Sequence, residues 1–174
     1  MVIKFKRLKN LGISILLNVV FCTFLISPFS LVAQKPDFSG NWKIDKAKCN
    51  FGTTFPEYTA PLEMKVVQES DSISIARLSM NGQGNYNEYV EKLPFDGSVV
   101  ESMIKSTKKR ASIKWSEREE IFIETAAYKD YTFKKMYKAE ETWRLSDDKN
   151  TLTILRDDEG DDGKDSRKYV FVKQ

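Results

Sequence analysis

The residue types that usually carry chemistry are sparse in this chain. None of its 174 residues is a histidine. That removes Ser-His-Asp and Cys-His arrangements, histidine-bound metals and the commonest general base. Cys49 lies beside Lys46 and Lys48, and nearby positive charge favours a reactive thiolate. With no partner base to activate it, the simpler reading is a small side chain within a loop. Residues 157–165 crowd carboxylates around Gly160 and Gly163, as calcium loops do. They lack the alternation and closing glutamate of an EF-hand, so a solvated hairpin loop accounts for them. Lys105, Lys108, Lys109 and Arg110 form a basic tip suited to phosphate or anionic lipid. Without interleaved aromatics it reads as a solvated turn. No catalytic residue, metal site or cofactor is therefore expected, and an enzyme is the least favoured class.

Polar residues that alternation turns inward are more informative, because charge is rarely left inside a β-protein without a partner. Arg77 shares the parity of Ile73 and Ile75, while Lys135 and Glu141 share the face of Phe133, Tyr137 and Trp143. Trp115 follows Ala111 and Ile113 on one face. These residues compose either a ligand pocket, with Trp115, Tyr137 and Trp143 as walls and Arg77 and Glu141 as polar contacts, or a structural ion pair.

The elements that must position them are strands. Leu62, Met64 and Val66 alternate with Glu63 and Lys65, as a half-buried strand requires. In the next strand the phase slips between Ile73 with Ile75 and Leu78 with Met80, which predicts a β-bulge near Ala76 or Arg77. Asn81 to Gly84 has the composition of a tight turn. Similar alternating runs continue to Val172, giving about ten strands with short polar connections and no amphipathic helix. Residues 46–56 break the pattern as a long loop across a barrel end, with Phe51 and Phe55 as plugs. The expected fold is all-β, an antiparallel up-and-down meander of about 8–10 strands that closes on itself and so removes exposed edges.

Gly40-Asn41-Trp42 opens the first strand. Glycine permits a tight entry, and the tryptophan two residues on supplies a large ring to close a barrel end. On these residues the chain resembles the lipocalin-like barrels of the calycin superfamily, in an exported bacterial form. Its strand count is nearer to the fatty-acid-binding-protein branch. Lys129-Asp130-Tyr131 is similar to the lipocalin Thr-Asp-Tyr turn, with its first residue changed. The resemblance implies structural roles for Gly40 and Trp42, with Arg156 or Arg167 over the tryptophan ring. It also implies an interior that takes a small hydrophobic or amphipathic ligand, held by inward arginine and tyrosine of the Arg77 and Tyr137 type. No long helix follows the barrel, a departure from true lipocalins.

Compartment follows from the first 33 residues. Lys4, Lys6, Arg7 and Lys9 precede an apolar run from Leu11 to Val32 and a small residue, Ala33. This three-part pattern is that of a secretory signal peptide. Cleavage leaves residues 34–174 as one domain in a secreted or periplasmic setting. It removes four of the 28 basic residues and no acidic ones, leaving 24 against 25, a net of −1. The basicity thus belongs to the leader, and neither nucleic acid nor membrane is an expected partner of the mature chain. Only Cys49 survives cleavage, so stability rests on packing without an internal disulfide. A monomer is expected. Three functional classes stay open: a barrel that binds a small molecule, a filled barrel acting on other proteins through its loops, and, third, a cavity enzyme using Arg77, Glu141 or Tyr137 for acid–base chemistry.

Overall fold

In a computed structural model the described residues are 35–53, 60–104, 107–117, 120–129, 135–160 and 163–174. The strands are β1 (Gly40–Ile44), β2 (Pro61–Gln68), β3 (Ser72–Met80), β4 (Tyr86–Pro94), β5 (Val100–Ile104), β6 (Thr107–Trp115), β7 (Ile121–Lys129), β8 (Lys135–Leu145), β9 (Thr151–Gly160) and β10 (Gly163–Lys173). They form one antiparallel sheet in the order β4-β3-β2-β1-β10-β9-β8-β7-β6-β5. Pairing of the first strand with the last curls the meander into a nearly closed barrel, as its alternation predicts. The seam lies between β4 and β5, the two ends of the sheet.

Turn chemistry follows the sequence closely. The Asn81 side-chain oxygen accepts from the amides of Gln83 and Asn85 at 3.0 and 2.9 Å, and Gly84 takes φ 81°. Gly40 adopts φ 149°, and a Cβ there would lie 2.7 Å from Cε of Lys173. Its bare backbone lets the Lys173 side chain cross toward Trp42, where the ammonium stands 5.4 Å from the ring centre. Lys173 thus takes the place expected of Arg156 or Arg167. Trp42 is buried and donates its Nε1 hydrogen to the Phe38 carbonyl at 3.0 Å.

Three local expectations are corrected. Strand β3 runs in register against β4 from Ser72 to Met80, without a bulge at Ala76 or Arg77. The irregularity lies in β2, between Pro61 and Glu63. Leu78 and Met80 break the apolar phase because they occupy the outward parity. The acidic segment 157–165 is mostly strand, since β9 reaches Gly160 and β10 starts at Gly163. Of the basic tip, Lys105 lies outside the described residues, and Lys108, Lys109 and Arg110 belong to the start of β6, with Lys108 and Arg110 pairing outward with Glu101. In the long loop, residues 46–48 form one 3-10 turn, and Phe51 packs 6.2 Å from the Tyr169 ring. Phe55, Phe133 and the Lys129-Asp130-Tyr131 turn lie wholly or partly outside the described residues, as do the first 34 residues.

Candidate functional site

One half of the interior is a conventional apolar core. Phe38, Trp42, Ile73, Ile75, Leu93, Ile113, Ile121, Trp143, Leu152 and Phe171 are fully buried. Phe38 joins the aromatic rings, with centroids 6.0 Å from Trp115 and 6.2 Å from Trp143, and Phe95 lies 5.1 Å from Trp115. Two of the residues read as ligand walls, Trp115 and Trp143, are therefore packed against the barrel's own side chains.

Past this core, toward the end of the barrel that holds the β3–β4 turn, the interior changes character. Strand alternation carries seven charged side chains inward at one level: Arg77 from β3, Glu91 from β4, Lys109 from β6, Glu141 from β8, Arg156 and Asp158 from β9, and Arg167 from β10. Arg77 spans the lumen to Glu141, with Nη1 donating to Oε1 at 3.3 Å and Nη2 to Oε2 at 2.8 Å. Trp143, two residues along β8 on the same face, donates its Nε1 hydrogen to Oε2 of Glu141 at 2.8 Å. Arg156 stands directly opposite Glu141 in the β8–β9 register and donates to its Oε1. Arg156 is also opposite Arg167 in the β9–β10 register. These like charges coexist because Asp158 accepts from both: Arg156 Nε and Nη2 reach it at 2.8–3.0 Å, and Arg167 Nη2 completes the set. On the other wall Lys109 Nζ donates to Glu91 Oε2 at 2.6 Å and lies 4.6 Å from the Tyr89 ring centre.

The electrostatics follow from burial and pairing. Burial alone would push the Glu141 carboxyl up. Arg77 and Arg156, with the Trp143 N–H, outweigh it and hold the group at about 2. Arg77 meets the same competition: burial would lower it, but Glu141 and Glu91 raise it above its ordinary value. Desolvation wins at Lys109, whose ammonium falls below the usual lysine range even with Glu91 alongside. Among the described residues the layer holds four cations and three carboxylates, one positive charge in excess. Exposure is unequal too. The Glu91, Glu141 and Asp158 side chains are only 4%, 7% and 3% exposed, as are Lys109 and Arg167 at 6% and 4%, against 12% for Arg77 and 18% for Arg156. The polar surface this layer presents is mainly guanidinium.

The structure thus brings Arg77, Glu141 and Trp143 into direct contact and leaves Trp115 in the core. Backbone register puts Tyr137 opposite Ala127 and Gly160, but its side chain, like that of Lys135, lies outside the described residues. Five members of the layer were not read as site residues: Glu91, Lys109, Arg156, Asp158 and Arg167. Each extends an inward alternation already visible in the sequence, two residues beyond Leu93, Ala111, Ile154, Arg156 and Tyr169 respectively. Among the described residues no group of histidine, cysteine, aspartate or glutamate side chains is arranged to hold a metal ion. Cys49 accepts a hydrogen bond from the Val170 amide at 3.2 Å, a structural contact of the loop.

No protein-family model matches the chain, and no relative is found among the curated proteins. Among solved structures, the chain is similar to zebrafish ileal bile acid-binding protein in complex with cholic acid, at 12% identity. The similarity covers 79% of this chain and 98% of that one, with a TM-score of 0.46.

Proposed function

We propose that the protein is an exported barrel that binds a small amphipathic molecule with an acidic head. The leader 1–33 is removed on export to the periplasm or the exterior. The head sits on the guanidinium of Arg77, and the apolar body lies past the charged layer, away from the aromatic core. Trp115 and Trp143 act from behind, Trp143 by fixing Glu141. One observation supports this reading above the others: an inward-facing layer with an excess cation, its carboxylates hidden and two of its arginines, Arg77 and Arg156, retaining some exposure. A barrel needing only stability gains little from such a layer, since buried ion pairs are often no better than apolar side chains of similar volume. Concentrated buried charge is a mark of functional sites. Native mass spectrometry of protein purified from its own source tests the reading. A co-purifying acidic amphiphile is expected, and an empty barrel that also rejects added acids would refute it.

A second reading has its own support. The apolar half is filled, and Tyr86, Val90, Val99 and Met103 are exposed on the strands or turns flanking the seam. These could engage another protein. Recovery of a stoichiometric protein partner, with no small molecule bound, would favour that class.

A further inference from the structure

We infer that Glu91 is a built-in stand-in for the ligand's head group, and that an acidic head binds by displacing it from Lys109 and Arg77. This rests on the reading of the barrel as a binder of acidic amphiphiles and concerns the same site.

The three carboxylates of the layer are held very differently. Glu141 takes two hydrogen bonds from Arg77, one from Arg156 and one from Trp143. Asp158 is gripped by two arginines. Glu91 has one short bond, from Lys109 to Oε2. Its Oε1 is buried without a hydrogen-bond partner, and the nearest Arg77 nitrogen is 3.7 Å away, beyond hydrogen-bonding range. The Nε of Arg77 is likewise buried and unpartnered. An acceptor buried without a partner costs the desolvation of that atom. Glu91 is thus the least secured anion of the three, beside Lys109, which has it as a partner, and Arg77, whose bonds go to Glu141.

Its strand is also the only one of the three carboxylates' strands with a single hydrogen-bonded neighbour. Strand β4 ends the sheet and pairs on one side only, with β3. Across the seam, it is tied to β5 and β6 by side chains: Glu91 to Lys109, and Tyr89 to Ser102 through a 3.2 Å hydroxyl contact. A carboxylate or similar anion arriving in the lumen can take over Lys109 and Arg77 while Glu91 swings toward the seam and solvent. Lys109 keeps an anion throughout, as its desolvated ammonium requires. Head-group recognition is thereby coupled to loosening of the β4 edge, and affinity for acids is held down by competition with Glu91.

The test uses the full mature chain, oleate as the acidic probe and a neutral polarity-sensitive dye as the reference. Glu91→Gln keeps the shape and an acceptor for Lys109 but removes the competing charge. The ratio of oleate to dye affinity should rise about tenfold or more. Hydrogen exchange on the wild-type protein supplies a second readout that needs no variant: amides 86–92 should exchange faster with oleate bound than with dye bound. An unchanged or lower affinity ratio in a folded Glu91→Gln protein overturns the inference while leaving the binding function intact. So does equal or greater protection of β4 with oleate. If wild-type protein binds no oleate at all, both this inference and the function it rests on fall.

Discussion

Arg77 on β3 and Glu141 on β8 meet across the barrel lumen through two parallel hydrogen bonds, although 64 residues separate them in sequence. The pair joins opposite walls and anchors the charged layer. Removing one side should cost far more than a surface ion pair would, because the partner is left buried and uncompensated. Glu141→Ala strands both Arg77 and Arg156, and a loss of roughly 3–5 kcal/mol is expected. A urea melt of the variant measures it. A loss below about 1 kcal/mol would mean that the layer is solvated and its charges do not depend on one another.

The same carboxylate predicts an acid limb in stability. Its folded-state value of about 2 lies below the ordinary 4.5. Its contribution is therefore complete above about pH 4.5 and is lost as pH falls toward 2, by on the order of 3 kcal/mol for this group. Denaturant melts at pH 6, 4 and 2.5 follow the loss. Glu141→Gln should flatten the profile in that window while starting from a lower plateau. Equal slopes for the two proteins would assign the acid limb to other carboxylates.

At the opposite end of the barrel, Trp42→Ala removes a buried ring from the strand that joins β2 to β10, and should cost about 3–5 kcal/mol. Gly40→Ala acts differently. It forces a side chain into φ 149° and against Lys173, for a cost of roughly 1–3 kcal/mol. Adding Lys173→Ala should relieve the contact and leave the backbone strain, so the double variant recovers only part of the loss. Full recovery, measured by thermal melts of all three proteins, would show that the glycine is needed for space alone.

The outline of the barrel is plain in the sequence because each strand must bury one face, and period-two alternation records which. The same rule turned Arg77 and Glu141 inward. Their contact was not legible, since strands five places apart in the sheet leave no local trace of meeting across a lumen. The remaining charges were hidden by composition. Asp158 sits among so many acids that the run looked like a loop, and Lys109 stood in what looked like a basic turn. Extending the apolar phase of Ile154 or Ile113 into those runs would have placed both inside. The outward Leu78 and Met80 misled in the opposite direction, imitating a bulge where the strand is regular.

Export is tested by the mass of the product. Expression of the whole gene in a host with a secretion pathway should yield a soluble chain starting near Gln34. Intact mass and N-terminal sequencing decide it, and a product retaining Met1 in the membrane would show the apolar run to be an anchor.

The most direct measurement is a titration of wild-type protein and Arg77→Leu with a long-chain fatty acid and with a neutral dye, followed by tryptophan emission. Wild-type protein should bind the acid at tens of micromolar or tighter, about 6 kcal/mol. Arg77→Leu, confirmed as folded, should weaken the acid roughly 10- to 100-fold, the range for a hydrogen bond to a charged group, and the dye much less. Acid and dye weakened equally, or neither bound by the wild-type protein, would contradict recognition of an acidic head by the guanidinium layer.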